Sequence, residues 1–303
     1  MKIVKKIVLA FLVLFVLSSI SGYIYFDQKF TPEQNYLKVE NESGPVSFKW
    51  IGNEKNVLLL PIHFEGDAEN YYLQFDTGSP YTVFYSKSIK NISQISTKGS
   101  VAKTAFSIGK TKIASDYFKI YELENDIKND SIKIIGTIGA DILENRKSLI
   151  NFKESFISLN LNKAPASFQK NLADFEFKKR KIIIKGFLKG QEEDFLFDSG
   201  TSAYELLTSK EVWHELKLSN SKTTIEKSQS WKRVLTTYTA DCNQNIIFDN
   251  QKIPLKNVTY VEGYSKMQYA MMKFSGMTGM LGNKIFLNKN LYLDCLQNKM
   301  GIE

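Results

Sequence analysis

The sequence predicts an all-β body of two related halves, preceded by one N-terminal transmembrane helix. Three observations carry this reading. Residues 7–26 form an uncharged apolar run. Through the rest of the chain, short apolar stretches such as 57–60 and 181–184 alternate with Gly, Asn and Asp turns. Finally, two distant stretches repeat one another in motif and in spacing.

Composition bounds the functions available. The chain has 303 residues, 43% hydrophobic and 24% charged, enough for two modest lobes and unlike a disordered protein. Lys and Arg number 40 against 32 Asp and Glu. Three of the lysines, Lys2, Lys5 and Lys6, precede the apolar run, so the body carries only a mild, unclustered excess. That argues against nucleic acid as a partner. There are two histidines, His63 and His214, and two cysteines, Cys242 and Cys295, with no C-x-x-C, H-E-x-x-H or G-x-S-x-G. Neither a zinc site nor a Ser-His or Cys-His nucleophile fits this inventory. No metal or cofactor is expected, and catalysis is left to carboxylates.

In chain order, the first element is the apolar run. Its twenty residues match a bilayer span as a helix. The preceding lysines should stay cytoplasmic, which places everything after Asp27 outside, in the periplasm or at the cell surface. A signal anchor is favoured. A cleaved signal peptide, with Ser19-Ile20-Ser21 as a small-x-small site, is the alternative and would make the body secreted. Export permits a disulfide. Cys242 and Cys295 are the candidate pair, and two separate buried thiols are the equal alternative.

In the first half, residues 27–162, an apolar strand reaches Ile62 and turns at Gly66-Asp67. A second strand, 71–75, ends at Asp76-Thr77-Gly78-Ser79. In the second half, residues 181–303, a strand at 182–184 turns at Lys189-Gly190. The return strand 195–197 then ends at Asp198-Ser199-Gly200-Thr201. A further shared element follows. Gly136-Thr137-Ile138-Gly139 leads to Asn151, and Gly279-Met280-Leu281-Gly282 leads to Asp294, with the same spacing. Ile157 and Leu159 answer Met300 and Ile302 in the closing strands. Residues 106–113 and 247–253 each read as a hairpin with a polar turn. The clearest helix spans 209–218, with Val212, Trp213, Leu216 and Leu218 on one face. Residues 163–180 read as a linker between the halves. Its basic run at 178–181 reads as a solvated edge. Trp50, Trp213 and Trp231 read as packing residues, and His63 as a strand residue.

One D-[TS]-G is an ordinary turn. Two copies, each closing an apolar strand in an equivalent place, mean more. Two carboxyls sharing one proton can activate a water: the carboxylate takes its proton while the acid polarises the substrate carbonyl. Gly78 and Gly200 let backbone approach the carboxylates. Thr77 and Ser199 are expected to hydrogen-bond across the pair. Ser79 and Thr201 are expected to donate to the Asp oxygens and orient them.

The sequence resembles the two-lobed aspartic peptidases of the pepsin type, with retropepsin-like features. The resemblance rests on Asp76–Ser79, on Asp198–Ser202 and on the hydrophobic-hydrophobic-Gly elements at 136–143 and 279–286. It covers residues 50–303. It implies a bilobal fold with pseudo-twofold related lobes, Asp76 and Asp198 as catalytic residues, a protein or peptide substrate, no cofactor and a monomeric enzyme. A flap tip is expected at Lys98-Gly99-Ser100. That tip lacks the tyrosine usual in pepsins, because Tyr117 and Tyr121 fall in the next strand. With so little chain between anchor and body, either no propeptide or a short one within 27–49 is expected. The alternative function is a catalytically silent pepsin-like binding or scaffold module in the cell envelope.

Overall fold

The N-terminal run folds as a helix, Lys2–Phe30. It outlasts the uncharged stretch because Asp27, Gln28 and Lys29 continue it, and it ends where Thr31 meets Pro32, a junction that disfavours helical backbone. Its Phe11–Phe30 portion is long and apolar enough to cross a membrane or to serve as a signal sequence. The computed structural model describes residues 2–122, 132–170, 172–230, 233–265, 269 and 275–303. Trp231 lies outside them. The body, Asn35–Glu303, is a unit of its own.

That body is mostly β. Among the described residues its strands gather into sheets of nine and thirteen strands. In the first half, Val57–Ile62 and Tyr71–Phe75 form an antiparallel hairpin, with Leu60 opposite Leu73. The turn between them carries Gly66 at φ +75°. Tyr71–Phe75 then runs parallel to Lys133–Ile138, so the strand ending at Asp76 has a partner from far along the chain. On its other edge Lys133–Ile138 meets Val83–Tyr85, which runs parallel to Thr111–Tyr121.

The second half repeats this order. Lys181–Leu188 and Gln191–Phe197 form the hairpin. Gln191–Phe197 runs parallel to Gly279–Leu281, which meets Leu206–Thr208, itself parallel to Gln251–Glu262. The paired G-T-I-G and G-M-L-G segments therefore occupy matching places beside the two D-[TS]-G loops. The alternation of residue types along the hairpins is the physical reason. In Lys181–Leu188 the residues Ile182, Ile184, Gly186 and Leu188 are buried while Lys181, Lys185 and Phe187 are exposed.

The halves are joined by backbone. Lys147–Asn151 pairs antiparallel with Asn290–Asp294, with Ile150 opposite Leu291. Aromatic rings continue the join: Phe286 stacks on Phe152 at 6.3 Å and meets Phe197 edge-on at 5.5 Å. One hydrophobic cluster includes residues of both halves, among them Leu60, Phe75, Phe84, Ile184, Phe197 and Phe286. Each fully buried Leu or Phe contributes about 1.5–3 kcal/mol.

The helix expected at 209–218 forms as Lys210–Leu216 and is capped by Ser209 Oγ, which accepts from Val212 N–H. Trp213 and Leu216 are buried, but Leu218 falls beyond the helix and is exposed. Both polar-turn hairpins form, closing at Gly109-Lys110 and at Asp249-Asn250.

The structure bears on three expectations. First, Cys242 and Cys295 are free, buried thiols and not a disulfide. Cys242 lies within the long strand Arg233–Phe248, whereas Cys295 follows the joining strand Asn290–Asp294. Burial pushes both thiols up, Cys242 to about 11. Second, the basic run is not wholly solvated: Lys178 and Lys181 are exposed, but Arg180 is 3% exposed. Third, most of residues 38–49, part of the stretch where any short propeptide was expected, pair with the body. Lys38–Glu40 pairs with 112–114, Val46–Ser47 with 156–157, and Lys49–Ile51 with 57–59. Taking that segment away would strip edges from both sheets.

Candidate active site

Asp76 and Asp198 each stand at the end of a hairpin's return strand. The backbone leaves each strand through a hydrogen bond to the neighbouring parallel strand. Asp76 N–H donates to Ile138 O at 3.0 Å and Asp198 N–H to Leu281 O at 2.9 Å. The two D-[TS]-G loops are thus delivered by equivalent machinery.

The next residues lock the loops together. Thr77 N–H donates to Ser199 Oγ and Ser199 N–H donates to Thr77 Oγ1, both at 2.9 Å. Each hydroxyl passes its own proton across the pair. Thr77 Oγ1–H donates to Phe197 O and Ser199 Oγ–H to Phe75 O, both at 3.0 Å. All four bonds are buried, and an unmade bond there would cost about 1–3 kcal/mol. This is the cross-pair role expected of Thr77 and Ser199.

The glycines allow the approach. A β-carbon on Gly78 would stand 2.5 Å from Asp198 Oδ1, and one on Gly200 would stand 2.5 Å from Asp76 Oδ1. Each loop's glycine lies against the opposite carboxyl, so no larger residue fits at either place.

Ser79 and Thr201 do not act as expected. Ser79 Oγ–H donates to Tyr81 O at 2.9 Å, and Thr201 Oγ1–H donates to Asp198 O at 2.8 Å. Both hydroxyls hold backbone carbonyls instead of carboxylates. Backbone N–H groups orient the acids. Asp76 Oδ1 accepts from Gly78 at 2.9 Å and from Ser79 at 3.2 Å, and Asp198 Oδ1 accepts from Gly200 at 2.9 Å. A short turn brings these amides within reach, and the hydroxyls then tighten that turn.

The electrostatics are unequal. Burial raises Asp76, while the amides of Gly78 and Ser79 and a hydrogen bond from Asp198 oppose the rise. Burial also raises Asp198, and the Asp76 charge pushes it further, up to about 8. The two carboxyls face each other and titrate as a pair, whose last proton is held well above the ordinary carboxylate range by burial and by their mutual charge.

Lys98-Gly99-Ser100 is the exposed tip of a hairpin between Ser96–Lys98 and Val101–Ile108, with Gly99 at φ +60°. It bears no tyrosine. Tyr117 and Tyr121 lie on Thr111–Tyr121, as expected. The second half has a longer hairpin, Thr224–Ser230 with Arg233–Phe248, in the corresponding place. The residues at its tip lie outside the described ones.

The sequence reading missed three residues near the pair. Tyr264 follows the second-half strand Gln251–Glu262 and packs on Leu207, Leu235 and Val261. Burial, and then the Asp198 charge, push its phenol up to about 12. Asp141 sits two positions beyond Gly139 and is buried against the loop that follows Asp76. Arg180, from the basic run, reaches the same loop. The available signals were faint. Asp141 stands where the second half has Lys284, and nothing in sequence separates Arg180 from its basic neighbours.

No family model matches the chain, and no curated protein matches it.

Proposed function

We propose that the protein is an aspartic endopeptidase of two pseudo-twofold related, pepsin-like lobes, held outside the cytoplasmic membrane by its N-terminal helix. The reading is supported above all by the reciprocal Thr77–Ser199 bonding, which holds Asp76 and Asp198 close enough to share a hydrogen bond. The matching strand order of the two halves is consistent with it.

The unequal environments support a division of roles. Asp76, which accepts two side-chain bonds from backbone amides and one from Asp198, is the carboxylate and general base. Asp198 carries the proton. Water attacks the carbonyl carbon and gives a proton to Asp76, while Asp198 gives its proton to the carbonyl oxygen. The resulting gem-diol collapses as the amine leaves. It takes a proton from Asp76, and the diol returns one to Asp198. The pair begins the next cycle in its starting state.

The test is cleavage of casein by the full-length protein in detergent, from pH 3 to 8. The wild type should cleave, and Asp76→Asn and Asp198→Asn should each reduce kcat by at least about a thousandfold while remaining folded. A folded Asp76→Asn variant that still cleaves would sink the mechanism. A wild type that cleaves nothing would favour the silent binding module, to which the tyrosine-free hairpin tip at 98–100 is the relevant observation.

A further inference from the structure

The two catalytic loops are supported by different chemistry. Behind Asp198 the support is neutral: Asn283 Nδ2–H donates to Ser199 O at 3.2 Å and to Ser202 Oγ at 2.9 Å. Lys284, the counterpart of Asp141, turns away to Glu54 at 2.9 Å.

Behind Asp76 the support comes from two directions, through a buried carboxyl and a buried guanidinium. Thr82 N–H donates to Asp141 Oδ2, and Thr82 Oγ1–H donates to Asp141 Oδ1, both at 2.7 Å. Thr82 Oγ1 also accepts from Gly139 N–H at 3.2 Å. Asp141 belongs to the short 3-10 turn Ala140–Ile142, whose Ala140 N–H donates to Ser79 O at 2.8 Å. From the other direction, Arg180 Nη1–H donates to Pro80 O at 3.2 Å. Its Nε and Nη2 grip Glu144 Oε2 at 3.1 and 3.0 Å, and its guanidinium lies 5.2 Å from the centre of the Tyr81 ring. Residues 80, 81 and 82 are each held.

The arrangement is costly. Asp141 is 4% exposed, and Arg180 is 3% exposed. Burying a carboxylate and a guanidinium is unfavourable unless both are fully bonded. Arg180 also sits in the left-handed region at φ +57°, beside Lys179 at φ +53°. Lys178 pairs with Lys181 across this two-residue turn, where Asn-Gly would be at ease. The chain accepts strain and desolvation to bring this guanidinium to Pro80.

We propose that Asp141 and Arg180 form a two-sided hydrogen-bonding clamp on residues 80–82 that sets the position of Asp76, so that both are positioning residues for the proposed hydrolysis. The inference rests on the aspartic-peptidase reading. It adds that Arg180, in the turn between the linker strand Ala173–Lys178 and Lys181–Leu188, holds the first half's catalytic loop in register. A loop free to drift by about 1 Å would misplace the general base against the water, an error that costs about a hundredfold in rate.

The experiment uses the full-length protein in detergent, with casein as substrate and Asp76→Asn as the inactive control. Asp141→Ala should lower kcat by about 10- to 100-fold with KM within about twofold of wild type. Asp141→Asn keeps the shape but offers only one acceptor oxygen to the two Thr82 donors, and should give a kcat between those of Asp141→Ala and wild type. Arg180→Gly suits the left-handed turn and keeps the chain foldable even where Asp141→Ala does not. It should lower kcat by about tenfold with KM unchanged. The clamp is overturned if folded Asp141→Ala or Arg180→Gly has wild-type kcat, or if the loss falls on KM alone. If Asp76→Asn cleaves as well as wild type, the underlying reaction is wrong and the clamp falls with it.

Discussion

At the scale of single residues, the coupled titration of Asp76 and Asp198 ties the proposed activity to stability. Asp198 is raised from the ordinary carboxylate range to about 8, so the folded chain binds this proton more tightly than the unfolded chain does. The contribution of this proton to stability is therefore fully present below the unfolded carboxylate pKa. It falls as pH rises from about 4 toward 8, because the folded state must either keep a proton that solvent no longer supplies or hold two adjacent charges. Asp198→Asn removes this titration. Its melting temperature should exceed that of wild type at pH 8–9, and the advantage should shrink steadily toward pH 4. Melting curves across that range would check it, and an advantage independent of pH would contradict it. The residue scale is also where the sequence was easiest to read. Asp76, Thr77, Gly78 and their counterparts act within one tight turn, so their roles follow from spacing. Ser79 and Thr201 act in the same turns but were misassigned, because a hydroxyl's choice between a carboxylate and a carbonyl depends on a rotamer.

At the scale of elements, alternation and turn chemistry made most hairpins legible. The helix Lys210–Leu216 was legible for a different reason, its Ser209 cap and its apolar spacing. Its contribution comes mainly from packing. Trp213 is buried, donates through Nε1 to Val258 O at 3.1 Å and meets the Tyr260 ring at 4.8 Å. Trp213→Ala should destabilise the body by about 3–5 kcal/mol. Ser209→Ala should cost only about 1 kcal/mol, since an exposed cap offers one bond. Urea titration of both variants would check the ranking, and equal losses would mean that the cap governs the helix. The strands at 38–40 and 46–47 were harder to see. Each is two or three residues long and exists because a distant strand offers an unpaired edge.

At the scale of the whole molecule, the halves repeat in sequence but share their structure. Lys147–Asn151 pairs with Asn290–Asp294, Phe152 stacks on Phe286, and Thr77 and Ser199 exchange four buried bonds with the opposite loop. Residues 27–162 and 163–303 expressed separately should therefore fail to give dispersed amide NMR spectra, while a mixture refolded together should give them. A well-dispersed spectrum from either piece alone would show that the pairing is dispensable.

The sequence by itself determined the apolar N-terminal helix, the β-rich body, the internal repeat and the two aspartates with their glycines. Each of these is written in local spacing or in local composition, which a linear chain displays directly. Only the tertiary structure decided that Cys242 and Cys295 stay apart, that Arg180 is buried while its neighbours are exposed, and that Asp141 grips Thr82. Those outcomes depend on which groups meet after the strands pair in register. A residue's partner dozens of positions away leaves no mark in its own neighbourhood. The cost of burying a charge is likewise settled only once the surrounding donors are in place.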